Sequence, residues 1–482
     1  MRDIPIILVF SALLAFGSAP ASASTNQRVA IANGDTAPVI PETSAGQAMH
    51  IWFDAMNSRD PAKIQSYIDR YHRTSSVKDY LGLYEYLGTL SLVRIEKSQA
   101  NAISALLNVS NFDDLYRVDI IVDPDDSTKL TKIEMSPTER PDDLAIARLS
   151  RADAIQALDE KANALAADDK FAGAMIIAKD GKEIFSKAWG LADRANKIPN
   201  STDTKFRLGS ANKMFTAVAI LQLVDQGKIS LSGKVGDYLP DYPNRDIADK
   251  VTIRQMLTHT GGTGDIFTDE YMAHIPDYKT HSDYVEKFGS RAPEFEPGSA
   301  ESYSNYGFVL LGAIIEKISG LSYYEYVDAH IFAPAGMTNS GFLPENVAVA
   351  GRSIGYTTED GALVTNKDSL PYRGTAAGGG YSTVKDMLKF ANALQSGKLV
   401  PQALLDQASR PQNEGGWYGY GFQTRGEGEM TNFGHSGGAP GMNADFRIYP
   451  QSGVVIVALS NRDGPYAESL AGFYATRMPA AK

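Results

Sequence analysis

The chain has 482 residues, 43% of them hydrophobic, with a formal charge of -11 and no cysteine. That length and apolar share predict a globular, enzyme-sized protein of two domains. The acidic balance without any long Lys/Arg run argues against nucleic acid and anionic membranes as partners, and the lack of cysteine excludes disulfides, thiolate nucleophiles and cysteine-bound metals.

At the N-terminus Arg2 precedes an apolar run from Ile6 to Phe16, and Ala21-Ser22-Ala23 supplies the small residues of a cleavage site. This pattern predicts a signal peptide over 1–23. The run is shorter than the roughly 20 residues that span a bilayer, so cleavage is expected, with no stable membrane insertion afterwards. The product would be periplasmic or secreted. Residues 24–44, rich in Ala, Thr, Pro and Asn, read as a flexible leader.

Residues 45–136 read as a small α+β domain. Met49, Trp52, Phe53 and Met56 fall at i, i+3, i+4 and i+7, and Ile64, Tyr67, Ile68 and Tyr71 repeat that stripe behind the cap Asp60-Pro61. Short β-prone runs follow at Ser91 to Lys97, Ala102 to Val109, Tyr116 to Val122 and Lys129 to Met135. Helices first and a meander after resemble the cystatin-like cone of nuclear-transport-factor-like domains. Residues 137–149 read as a linker, since Pro137 to Asp143 holds two prolines and four charges without an apolar face.

The second domain is expected over 150–482. Ser150 and Asp153 look like a capping pair ahead of the stripe Ile155, Leu158, Ala162 and Leu165. Ala174 to Ala178 and Glu183 to Ala188 flank Asp180-Gly181, a type I′ hairpin signal. Near the other end, Ala444 to Tyr449 and Val454 to Leu459 form a second pair before a last helix from about Tyr466. Strands at both ends and helices between them predict an α/β (α+β) fold, an antiparallel sheet flanked by helices plus a helical region.

Three motifs carry chemistry. Gly209-Ser210-Ala211-Asn212-Lys213 opens an apolar helix running to about Val224. The three-residue spacing puts Ser210 and Lys213 on one face, as a serine nucleophile with an amine base requires. Tyr303-Ser304-Asn305 follows the turn Pro297-Gly298 and precedes an apolar helix from Tyr306 to Ser319. Gly434-His435-Ser436-Gly437-Gly438 precedes the terminal strand pair, where glycines let a substrate lie against strand backbone.

Ser-x-x-Lys, Tyr-x-Asn and His-x-Gly, in this order, resemble the active site of class C β-lactamases, penicillin-binding proteins, D-amino-acid peptidases and β-lactamase-like esterases. Thr252 to Thr260, Ala333 to Met337 and Gly378 to Thr383 look like further segments of that family, so the resemblance spans nearly all of 151–482. It implies a β-lactamase/transpeptidase-like fold and the following roles. Ser210 forms an acyl-enzyme, while Lys213 and Tyr303 handle its proton, either of them as acceptor. Asn305 orients Lys213 and a substrate amide, and the backbone N–H groups of Ser210 and Gly438 form the oxyanion hole. His435, Ser436 and Gly437 line the strand side of the cleft.

Competing readings are weaker. The segment around Ser436 also spells G-x-S-x-G, the nucleophile elbow of α/β-hydrolases, but that fold needs a later histidine and His435 is the last. His259-Thr260-Gly261 reads as a structural turn, Gly374 to Gly380 as a glycine-rich turn before a helix, and Glu316 with Lys317 as a solvated charge pair. No histidine spacing suits zinc, and neither metal nor cofactor is called for. Where class C β-lactamases carry Lys-Thr-Gly this chain has His-Ser-Gly, which favours a small ester or D-amino-acid amide over efficient β-lactam hydrolysis. A slow-turnover cell-wall binding or sensing module stays open as the alternative, and the oligomeric state is not readable.

Overall fold

A computed structural model describes residues 38–71, 75–359 and 361–481. The expected signal peptide and most of the expected leader lie outside these residues. The chain divides into two compact units, one ending at Ala147 and the other running from Arg148.

In the first unit, helices α1 (Ser44–Ser58), α2 (Pro61–Arg70) and α3 (Val77–Leu87) precede strands β1 (Leu90–Ser98), β2 (Ala102–Val109), β3 (Leu115–Val122) and β4 (Leu130–Thr138). The strands form an antiparallel meander in the order β1-β2-β3-β4. Met49, Trp52, Met56, Ile64 and Tyr67 pack with Leu107, Val118 and Ile120 into one core. Two features differ from the sequence reading. Helix α3 is additional: its stripe Tyr80, Tyr84 and Leu87 is buried behind a Ser76/Asp79 capping box, and Leu81, Leu83 and Tyr86, partly buried against the same core, blur the periodicity. Strand β4 continues through Pro137, opposite Tyr116, into the expected linker. An edge strand tolerates a proline because one of its sides needs no donor.

In the second unit, helix α4 (Arg151–Ala167) is capped by Ser150 and leads into β5 (Gly173–Lys179) and β6 (Lys182–Trp189). Their turn uses Asp180 at φ 52° and Gly181 at φ 74°, the geometry that Asp-Gly favours. Helix α5 (Lys213–Asp225) and helix α6 (Asn305–Ser319) form the middle, together with α7 (Val384–Gln395). Strands β7 (Gln423–Arg425), β8 (Asn432–Ala439), β9 (Met442–Tyr449) and β10 (Val454–Ser460) precede α8 (Tyr466–Arg477).

The sheet runs β7-β8-β9-β10-β5-β6, so the two ends of this unit meet where β10 pairs with β5, Ile456 opposite Ile177. Both faces of the central strands are covered. Ala174, Ile176 and Ala178 join the core shared with α5, α6 and α7, while Met175 and Ile177 pack with Leu158, Leu470 and Tyr474 of α4 and α8. Period-two alternation therefore reads as a continuous apolar run in sequence. Helix α5 is apolar all round because it lies inside this core, and that burial carries Lys213 with it at 0% exposure.

Candidate active site

Ser210 sits in a 3-10 turn, Gly209–Asn212, that feeds directly into α5. Residues three apart eclipse in such a turn, which brings Ser210 Oγ within 3.3 Å of Lys213 Nζ. Lys213 has two further partners, donating to Asn305 Oδ1 at 2.6 Å and to the Ala377 carbonyl at 2.8 Å. Burial lowers the Lys213 pKa to about 7, against the opposing charge of Asp265. A neutral amine has two N–H bonds and one lone pair. The two carbonyl oxygens take the N–H bonds, and the lone pair is left for the Ser210 hydroxyl.

Ser304, not Asn305, caps α6, accepting from the Gly307 N–H. That frees the Asn305 side chain, whose amide is held from behind by a carboxylate. Its Nδ2 donates to Asp265 at 3.2 and 3.0 Å. Because a carboxylate only accepts, Asn305 must turn its oxygen toward Lys213. The same bonds engage the amide nitrogen expected to meet a substrate amide. Burial raises the Asp265 pKa, partly offset by the Ile266 N–H, Asn305 and Lys213.

The Tyr303 ring lies 4.6 Å from Lys213 Nζ, and its hydroxyl is buried beside Ser210. Burial pushes its pKa well up, against the Ser210 hydroxyl, so the phenol keeps its proton at neutral pH. With one group near 7 and the other far above it, the amine suits proton acceptance and the phenol proton delivery.

Strand β8 runs along the Ser210 turn. A Cβ on Gly437 would stand 2.0 Å from the Leu208 carbonyl, and one on Gly209 would stand 2.8 Å from the Gly438 nitrogen. Gly209 also has φ +51°. Both positions therefore need glycine. Strand β7 pairs with β8 only at Asn432 to Gly434, leaving the edge beyond open. Backbone N–H groups alternate in direction along a strand, and the Ser436 N–H points outward to Gln423 Oε1 at 3.1 Å. The Gly438 N–H, two residues on, points to the same side, toward the Ser210 turn.

Of the other strand residues expected to line the cleft, His435 is turned away from it. His435 is 2% exposed, bonded through Nε2 to the Tyr418 hydroxyl at 2.8 Å and packed 6.5 Å from the Tyr303 ring. Burial and then the charge of Lys213 lower its pKa to about 3, so it is neutral. Ser436 Oγ also donates to Gln423 Oε1, at 3.3 Å. Ser436 lies inside a strand that is followed by another strand, which leaves no strand–serine–helix elbow at this position.

Several residues near the site escaped the sequence reading. Asp265 lies in a Gly/Thr loop with no periodic signal. His259 is at a turn as expected, with φ 60°, but its buried ring lies 4.2 Å from that of Tyr303 and its Nδ1 accepts the Ser304 N–H. Glu316 is not a solvated partner of Lys317: it accepts from His281 Nδ1 at 3.0 Å and from the Tyr323 N–H. Burial alone would raise its pKa, yet these bonds hold it below the usual carboxylate range. His281 Nε2 in turn accepts the Ala376 N–H at 3.0 Å, which anchors the Gly374 to Gly380 turn whose Ala377 carbonyl holds Lys213.

This arrangement of serine, amine, phenol and strand edge is the one the Ser-x-x-Lys resemblance implied, and the Beta-lactamase family model matches residues 156–477. The chain belongs to the β-lactamase family. Esterase EstB of Burkholderia gladioli is 31% identical over 338 residues, covering 62% of this chain and 82% of the esterase. The crystal structure of a penicillin binding protein from Bacillus halodurans superposes with a TM-score of 0.58 at 33% identity, over 64% of this chain and 96% of that one. A D-amino acid amidase from Ochrobactrum anthropi SV3, complexed with L-phenylalanine, gives 0.57 at 25% identity, over 67% and 96%. The fold is thus that of β-lactamase-type serine hydrolases, a family that includes esterases and D-amino-acid amidases and acts on small substrates.

Proposed function

We propose that this chain is an exported serine hydrolase that cleaves a small ester or D-amino-acid amide through a Ser210 acyl-enzyme. The observation that carries this reading is the buried Lys213 amine, 3.3 Å from Ser210 Oγ and held by the Asn305 and Ala377 oxygens. Ser210 Oγ attacks the acyl carbon and passes its proton to Lys213. The oxyanion is received by the Ser210 and Gly438 N–H groups, a device in which one lost donor costs about 3 kcal/mol of barrier. Collapse expels the leaving group, which takes a proton from the Tyr303 hydroxyl as Lys213 resupplies it. Water then attacks the ester carbonyl on Ser210 with Lys213 again as base, and the serine is restored.

Export rests on the Arg2, Ile6 to Phe16 and Ala21-Ser22-Ala23 pattern. Against efficient β-lactam hydrolysis stands the neutral, inward-turned His435 where a strand lysine would face a substrate carboxylate. A screen of p-nitrophenyl esters, D-amino-acid amides and nitrocefin tests the reading, with Ser210→Ala as control. Steady-state turnover that disappears in the variant is expected. Turnover that survives it overturns the assignment, and a burst without turnover puts the slow sensing module in its place.

A further inference from the structure

We infer that the site selects an uncharged apolar acyl group of about phenyl or hexanoyl size, and discriminates against acyl groups bearing a carboxylate or an ammonium. This rests on the serine hydrolase reading above and narrows it to the ester, since the acyl group of a D-amino-acid amide carries an ammonium.

Beside Ser210 lies a cavity of about 150 Å³. Its walls include Ile266, Phe267, Tyr271, Met272, Leu370 and Met442, and among the described residues no Lys, Arg, Asp or Glu lines it. An apolar-walled space of about that volume takes a benzene-sized guest. A charged group placed there would lose its hydration without gaining a counter-ion, a loss that hydrogen bonds from Ser369 or Thr375 do not make good.

The strand side carries a second, independent observation. Ser436 offers a backbone N–H and a hydroxyl at the strand edge. Both donors are spent on Gln423 Oε1, at 3.1 and 3.3 Å. That amide oxygen also presents partial negative charge at this edge. The cation at this edge, Arg425, donates to the same oxygen at 2.8 Å and lies in the field of the buried Asp445 and Glu468. His435 adds no charge, and Asp265, the acid nearest the apolar wall, is occupied by Asn305. Among the described residues, an acyl group with a charge of either sign therefore finds no free partner here.

The experiment is a series of p-nitrophenyl esters on the full chain, so that the leaving group is constant. Each buried CH2 multiplies kcat/KM by at most about fourfold. A rise of about tenfold or more from acetate to hexanoate is expected. p-Nitrophenyl hydrogen glutarate should fall about tenfold or more below pentanoate, and the D-phenylalanine ester likewise below 3-phenylpropanoate. Phe267 is 42% exposed, so Phe267→Ser spares the core, and it should lower the hexanoate-to-acetate ratio by about fivefold. A flat or falling chain-length series, a charged ester equal to its neutral analogue, or an unchanged ratio in Phe267→Ser overturns the inference. Rates of Ser210 labelling by ethyl and hexyl fluorophosphonates read the same preference without turnover. Equal rates there overturn the substrate class alone, whereas ester hydrolysis persisting in Ser210→Ala strikes the nucleophile assignment.

Discussion

Replacing Asp265 with asparagine should move the acid limb of the pH–rate profile downward by about 1 unit. Lys213 acts as a base only when neutral, so kcat/KM rises as pH climbs through the Lys213 pKa, which burial brings to about 7. Asp265 opposes that shift, because an anion behind Asn305 favours the ammonium. Across the Asn305 amide the two charges stand about 7 Å apart, and at an effective dielectric near 20 this amounts to about 2 kcal/mol, or about 1.5 pKa units. The hydrogen bonds that Asp265 accepts from the Ile266 N–H and from Asn305 spread that charge, which trims the effect toward 1 unit. The other titratable groups facing Lys213 add little competing charge: Tyr303 keeps its proton, and His259 and His435 are held neutral. Asparagine retains an oxygen that can accept from Asn305, so the site geometry is kept. The assay is kcat/KM for a neutral ester between pH 5 and 9, since a neutral substrate adds no titration of its own. An acid limb that stays at the wild-type pH, or moves upward, would refute the electrostatic coupling.

Three further variants probe separate parts of the site. Tyr303→Phe removes the proton donor and should lower kcat about a hundredfold or more, measured as ester turnover. Gly209→Ala forces a Cβ against the Gly438 nitrogen at a positive φ and should cost about a hundredfold in kcat/KM through the displaced oxyanion donors. His281→Phe strands the buried Ala376 N–H, at about 1–3 kcal/mol, which calorimetry should read as a Tm lower by about 5 °C. Because Ala377 then loosens its hold on Lys213, kcat should fall more than KM rises.

Legibility followed the range of the interactions. Ser210 and Lys213 share one turn, and Asp180-Gly181 shapes its own hairpin, so local spacing was enough. Tyr303, Asn305 and Gly438 became readable only because three motifs in one order resemble a known family; no single one of them is informative. Asp265, Gln423 and the His281–Glu316 pair carry no local pattern. Their positions follow from loops and edges packed by distant chain segments, 40 residues apart for Asp265 and Asn305 and 35 for His281 and Glu316. Glu316 looked like half of a surface pair because sequence shows its neighbour Lys317 but not the buried imidazole across the helix. His435 was expected in the cleft because its motif borders it, yet strand alternation turns the ring under Tyr303, while the backbone N–H groups of Ser436 and Gly438 point outward.

The most direct measurement is intact-mass and peptide mapping after treatment with a small fluorophosphonate. One adduct per chain, on the peptide carrying Ser210 and absent from Ser210→Ala, is the predicted result. An adduct on Ser436, or labelling unchanged in Ser210→Ala, would contradict a nucleophile activated by Lys213.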